Sequence, residues 1–126
     1  RVGVRFGYDN ALAHRVEAGA DMFLMPSHYE PCGLNQMYSL RYGTVPIVRA
    51  TGGLADTVEE CDVIKEEGTG FLFSKYSGAA MLEAIHHALA AFRDQTGWRE
   101  LMLRGMARDF SWARSAERYE ALYREL

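Results

Sequence analysis

Apolar positions along the chain recur first at every second residue, then at every third and fourth, and the two rhythms alternate several times. Val2, Val4 and Phe6 alternate with Gly3 and Arg5, which predicts a short strand closing at Gly7. Asn10 to Gly19 has helical spacing through Ala11, Leu12 and Arg15-Val16, with Asp9 or Asn10 to cap its start and Gly19 its end. The continuous apolar run Met22-Phe23-Leu24-Met25 predicts a buried strand ending at Pro26. Leu34, Met37, Tyr38 and Arg41 then mark a helix, and Val45-Pro46-Ile47-Val48 a strand whose proline is plausible only at the first position. Thr51-Gly52-Gly53-Leu54 is the turn leaving it, Asp56-Thr57 starts a short helical turn to about Glu60, and 62–68 is a surface loop.

Gly70-Phe71-Leu72-Phe73 predicts the last strand, and helices follow. Met81, Leu82, Ile85, Ala88, Leu89 and Phe92 form one apolar stripe, and Trp98, Leu101, Met102 and Gly105 define a second helix. A third starts at a Ser111 cap and carries Trp112, Ala116, Tyr119, Leu122 and Tyr123, with Glu120 and Arg124 as an exposed pair. Aromatics at helical spacing are read as core. Strands alternating with helices predict an α/β, Rossmann-like parallel sheet with flanking helices.

Composition narrows the classes of function. The 126 residues, 48% hydrophobic and 25% charged, suit one soluble domain with its own core. The net charge of -3, with no Lys/Arg run, argues against a nucleic-acid partner. No apolar stretch approaches the roughly 18 residues of a membrane span, and no signal peptide is visible, so no membrane partner is expected. Cys32 and Cys61 form no CxxC or disulfide framework, which fits a reducing compartment. His86 and His87 point about 100° apart around a helix, so they predict no metal site, and His14 is read as a structural hydrogen-bonding residue. Glu59, Glu60, Glu66 and Glu67 read as a solvated face. The chain opens at Arg1 within a strand-like pattern and without an initiator methionine, and is read as a piece of a longer protein.

The chemistry-bearing stretch is Ser27 to Gln36, between a strand and a helix. In an α/β sheet ligands sit at such loops, where a helix start points unpaired N–H groups and the positive end of its dipole at the crevice. Gly33 has no side chain to keep a ligand from those groups, while Glu30 and Cys32 bring a carboxylate and a thiol. An anion lying beside a group rich in hydroxyls fits there. Tyr8, at a strand end, is by its residues alone more often a packing aromatic. Gly52-Gly53 implies close backbone approach, or else a plain glycine-rich turn.

Several blocks together resemble the bacterial glycogen synthases and plant starch synthases: Gly7-Tyr8-Asp9, His14-Arg15, Gly19-Ala20-Asp21, Glu30-Pro31-Cys32-Gly33-Leu34, Tyr42-Gly43-Thr44-Val45-Pro46, Thr51-Gly52-Gly53-Leu54-Ala55-Asp56-Thr57-Val58 and Asp109-Phe110-Ser111-Trp112. The resemblance covers nearly the whole chain, and Cys32 with the Thr-Gly-Gly-Leu block separates this family from the wider two-domain retaining glycosyltransferases. It implies that residues 1–126 are part of the C-terminal, nucleotide-sugar-binding half of a GT-B enzyme, whose last helix, about 111–126, crosses back to an N-terminal domain. The implied reaction moves glucose from ADP-glucose to the end of an α-1,4-glucan with retention, in bacterial cytoplasm or plastid stroma.

What the resemblance implies for single residues is specific. Glu30 meets the donor glucose hydroxyls, and Tyr8 stacks on adenine. The N–H groups of Gly33, Leu34 and Asn35 receive the diphosphate, with the Asn35 side chain, where many members have Thr, as an extra contact. Thr51, Gly52 and Gly53 line the sugar site. Cys32 is either a thiolate nucleophile at a helix start or a packing residue near the sugar, the second being favoured. No cofactor or metal is expected beyond the ADP-glucose substrate. The glucan would bind through the N-terminal domain. The family's Arg and Lys diphosphate clamp falls upstream of Arg1, so the chain alone is expected to bind ADP weakly and to transfer no glucose. A related transferase with a small acceptor and a non-catalytic sugar-nucleotide-binding module are the alternatives.

Overall fold

The computed structural model describes residues 2–62 and 64–125. Three parallel strands, β1 (Met22–Met25), β2 (Val45–Arg49) and β3 (Phe71–Phe73), form one sheet in the order β1-β2-β3. Met22 pairs with Val45 and Ile47 with Phe71. Six helices surround it: α1 (Asn10–Gly19), α2 (Asn35–Tyr42), α3 (Gly53–Thr57), α4 (Gly78–Phe92), α5 (Gln95–Met106) and α6 (Trp112–Arg124). The expected parallel sheet with flanking helices is the observed architecture.

The central strand is buried on both faces, which is why its residues read as a continuous apolar run. Val45 and Ile47 face Phe71, Phe73, Ala84, Ala88, Trp98 and Leu101. Val48 and Met25 face Leu54 and Val58 on the other side. Fully burying each large apolar side chain contributes about 1.5–3 kcal/mol. Trp98 anchors the α4/α5 side, stacked on Phe71 with ring centroids 6.2 Å apart and edge-on to Phe92 at 5.0 Å. Two polar ties set the entry to β2. Gly43 ends α2 at φ 80°, and the Thr44 hydroxyl donates to the Glu17 and Ala20 carbonyls at the end of α1.

The start caps appear where the sequence places them, Asp9 accepting from the Leu12 amide and Ser111 from the Arg114 amide, whereas Gly19, expected to cap the end of α1, is its last helical residue and Ala20 is the cap. His14 is structural as expected, its Nδ1 3.2 Å from the Tyr42 hydroxyl.

Five further expectations need correction. Val2 to Phe6 is not a strand; its side chains are exposed and it pairs with none of the described residues, and alternation without a partner makes no ladder. The helix expected from Asp56 begins at Gly53 and ends at Thr57, because the Ala55 and Asp56 amides already bond the Gly52 carbonyl. Pro46 is the second residue of β2, not the first. The Val45 amide bonds Asp21 on the β1 side, so by alternation the Pro46 nitrogen faces the β3 side, beyond where β3 begins, and no ladder bond is lost. Glu60 is not simply solvated, since its carboxylate accepts from the Leu72 amide at 2.6 Å. The aromatics of α6 are not core: Trp112 is 87% exposed, Tyr119, Leu122 and Tyr123 are exposed, and no residue of α6 is buried.

Candidate active site

The segment from Pro26 to Leu34 joins β1 to α2 at the carboxyl end of the sheet. Three ties shape it. At its start, Arg49, the last residue of β2, donates from Nη1 to the His28 carbonyl at 2.8 Å and to the Ser27 carbonyl at 3.4 Å. The Tyr76 ring lies under that guanidinium, 5.4 Å from Cζ to centroid, and meets the His28 ring edge-on at 4.6 Å. The segments leaving all three strands are thereby joined. Among the described residues Arg49 makes no ion pair, and its buried Nε has no acceptor.

At the middle of the segment the Gly53 amide donates to the Glu30 carbonyl at 3.1 Å. A β-carbon on Gly52 would collide with that carbonyl, and one on Gly53 with the Cys32 carbonyl. The adjacent glycines are thus required by close backbone approach, and what approaches is the Glu30–Cys32 backbone. At the end, Gln36 reaches back from α2 to the Cys32 and Gly33 carbonyls. Gly33 adopts φ 74°, and the space a β-carbon would need is taken by the Gln36 side chain. Its glycine character is accounted for from inside the protein, a different reason from the open approach to a ligand read in the sequence.

The structure therefore brings the Glu30–Cys32 backbone against Gly52 and Gly53, with Gly33, Leu34 and Asn35 following along the chain into α2 and Thr51 preceding the glycines. Glu30 is half-buried, Cys32 is an exposed free thiol, and Leu34 caps α2 without a side-chain hydrogen bond to its first amides among the described residues. Cys32 and Leu34 border an open cavity of about 810 Å³ whose far wall is Asp109 to Arg118. Tyr8 stands apart, 93% exposed ahead of α1, with no ring partner or hydrogen bond among the described residues. No three His, Cys, Asp or Glu among the described residues are grouped to hold a metal, and no described helix is long and apolar enough to cross a membrane.

Sequence reasoning missed Gln36, Thr57, Arg49 and Tyr76. One signal for Gln36 was present: an amide sharing the inward face of α2 with Ser39 and Leu40.

A sequence model of the glycosyl transferases group 1 matches residues 4–98, most of the chain. The chain belongs to that family. It is 67% identical over all 126 residues to a glycogen synthase of Anaeromyxobacter sp. (strain K), of which it covers 26%, and 64% identical over 123 residues to the glycogen synthase of Koribacter versatilis, of which it covers 25%. The chain thus spans about a quarter of the length of the curated relatives it matches. Among solved structures it superposes on the catalytic domain of starch synthase IV from Arabidopsis thaliana, bound to ADP and acarbose, with a TM-score of 0.84 and 40% identity, over 94% of this chain and 25% of that one. A sucrose-phosphate synthase from Thermosynechococcus elongatus matches with a TM-score of 0.62 and 35% identity, over 86% of this chain and 26% of that one. The parallel sheet is that of the C-terminal half of a GT-B glycosyltransferase, the fold class expected from the sequence.

Proposed function

We propose that this chain is part of a glycogen or starch synthase and supplies part of the site for its ADP-glucose donor. The observation that carries this reading is the 67% identity along the entire chain to a glycogen synthase, including the loop that the structure ties together at Glu30, Cys32 and Gly33. In the reaction, the bond from the glucose anomeric carbon to the diphosphate breaks, and ADP departs with the electron pair. The 4-hydroxyl oxygen of a glucan end then bonds to that carbon on the same face and gives up its proton.

The costly event is charge growing on the departing diphosphate, so fixed donors around it contribute most. The amides of Gly33, Leu34 and Asn35 are those donors, with the Asn35 side chain beside them. Glu30, as a carboxylate, accepts hydrogen bonds from two neighbouring sugar hydroxyls. Thr51, Gly52 and Gly53 form the opposite wall of the sugar site, Cys32 packs near the sugar, and Tyr8 stacks on adenine. No metal or cofactor enters this scheme. The exposed stripe of α6 packs on the N-terminal domain, which brings the glucan.

The test compares the full-length protein with the 126-residue chain, both given labelled ADP-glucose and glycogen. Incorporation by the full-length protein alone is expected. No incorporation by the full-length protein, with transfer instead to fructose or a glucose phosphate, would replace the glucan by a small acceptor.

A further inference from the structure

The Cys32–Gly33 turn is held from within by a side chain of the helix that follows it. Gln36, the second residue of α2, is fully buried, and its Nε2 donates to the Cys32 carbonyl at 3.2 Å, the Gly33 carbonyl at 3.1 Å and Thr57 Oγ1 at 3.1 Å. The Thr57 hydroxyl gives its own proton to the Gly53 carbonyl at 2.5 Å, so toward Gln36 it acts only as an acceptor. Gln36 Oε1 is buried with no donor among the described residues. An orphaned buried oxygen is costly, and here it accompanies a nitrogen serving three acceptors, so the acceptors dictate how the carboxamide lies.

Those bonds have a geometric consequence. No peptide bond among the described residues is cis, and across a trans peptide the C=O and N–H point opposite ways. Drawing the Cys32 carbonyl inward turns the Gly33 N–H outward. Drawing the Gly33 carbonyl inward does the same for the Leu34 N–H. A β-carbon at Gly33 would lie 2.5 Å from Gln36 Oε1 and 2.9 Å from Nε2 and would push the carboxamide out of place, at a φ of 74° that side chains rarely adopt.

We propose that Gln36 is a positioning residue for glucosyl transfer: its buried carboxamide sets the two peptide planes that present the Gly33 and Leu34 N–H groups to the donor diphosphate. The inference rests on the nucleotide-sugar reading above. Gln36 itself touches neither sugar nor phosphate, and Thr57 ties it to the glycine turn so that the planes hold their angle as charge grows on the leaving group.

The experiment uses the full-length protein. In the ¹⁵N-labelled wild type, ADP is expected to move the Gly33 and Leu34 amide proton resonances downfield. Failure of the wild type to bind ADP overturns both the nucleotide reading and this proposal. Binding that leaves those two resonances in place overturns the proposal alone. Gln36→Met keeps the length and burial but removes the donor, and kcat is expected to fall about tenfold or more while the KM for ADP-glucose changes less than about threefold. A kcat within about threefold of wild type, or a loss confined to KM, overturns the proposal, because a residue that only fills space would leave kcat in place.

Gln36→Glu gives a second, independent readout, and decides the matter if the Met variant does not fold. A buried carboxylate repels the two carbonyls, whereas its protonated form again offers a donor. The rate of this variant relative to wild type should rise as pH is lowered from about 8 to about 6. A ratio that stays flat with pH overturns the assignment.

Discussion

Gly53 lies so close beneath Cys32 that a β-carbon on the glycine would run into the cysteine carbonyl oxygen. Cys32 lies in the segment leaving β1 and Gly53 opens the helix that follows β2, so the contact sets how far apart these two segments sit. Neither side of it is a flexible side chain that could step aside. Gly53→Ala is expected to destabilise the chain by about 1–3 kcal/mol, read as a lower urea midpoint, since backbone must shift to admit the methyl group. In the full-length protein the same change should lower transfer, because it pushes on the segment that carries Glu30.

Arg49 gives a different outcome. Among the described residues its guanidinium meets two carbonyls and the Tyr76 ring, and it supports the start of the loop without entering the core. Arg49→Met should cost about 1.5–3 kcal/mol, the range for hydrogen bonds to a charged group. Amide hydrogen exchange should quicken in residues 27–30 and stay unchanged in α4. Lysine should rescue only in part, since one nitrogen serves both carbonyls but an ammonium lacks the planar face that lies on the Tyr76 ring.

Glu17 predicts a pH dependence. Burial pushes its carboxyl above the ordinary 4.5, with the nearby His14 pulling the other way, and its Oε2 has no partner among the described residues. The folded chain therefore keeps this proton to higher pH than the unfolded chain, and stability from this site falls as pH climbs through and above 4.5. Glu17→Gln should raise stability by about 1 kcal/mol at neutral pH, and the gain should vanish at about pH 4. Thermal melts of both forms across that window check it.

The exposed stripe of α6 gives the proposed packing on an N-terminal domain a direct test. With Trp112 and Tyr123 both exposed, Trp112→Ala or Tyr123→Ala should change unfolding of the 126-residue chain by less than about 0.5 kcal/mol. In the full-length protein the same substitutions should lower the melting temperature measurably, as expected for a face packed on another domain.

Legibility in the sequence followed the range of the interaction. Helix caps at Asp9 and Ser111 act over three residues, and both were readable. β1 and β2 announced themselves because strands buried on both faces have no polar side to hide the signal. Val2 to Phe6 carries the same alternation, but a strand exists only with a partner, and no local pattern reports one. Trp112 and Tyr119 misled for a related reason: spacing shows which face of a helix is apolar, not whether this chain covers it. Glu30, Gly33 and Gly53 came out of residue type and motif. Gln36 and Arg49 did not, because each reaches 21 residues along the chain, to Thr57 and His28 respectively, and Arg49 ends on main-chain oxygens that every residue possesses.

The sheet order gives β2 a neighbour on each side, while β1 and β3 each form an outer edge. On β3 the outward Leu72 amide is occupied by the Glu60 carboxylate. No comparable guard serves β1 among the described residues, where Met22–Met25 pairs with β2 alone and Leu24 is exposed. A bare rim of amides and carbonyls is a template for another strand. In the isolated chain the four-residue length of β1 and the shared negative charge are then what stands against pairing with another copy.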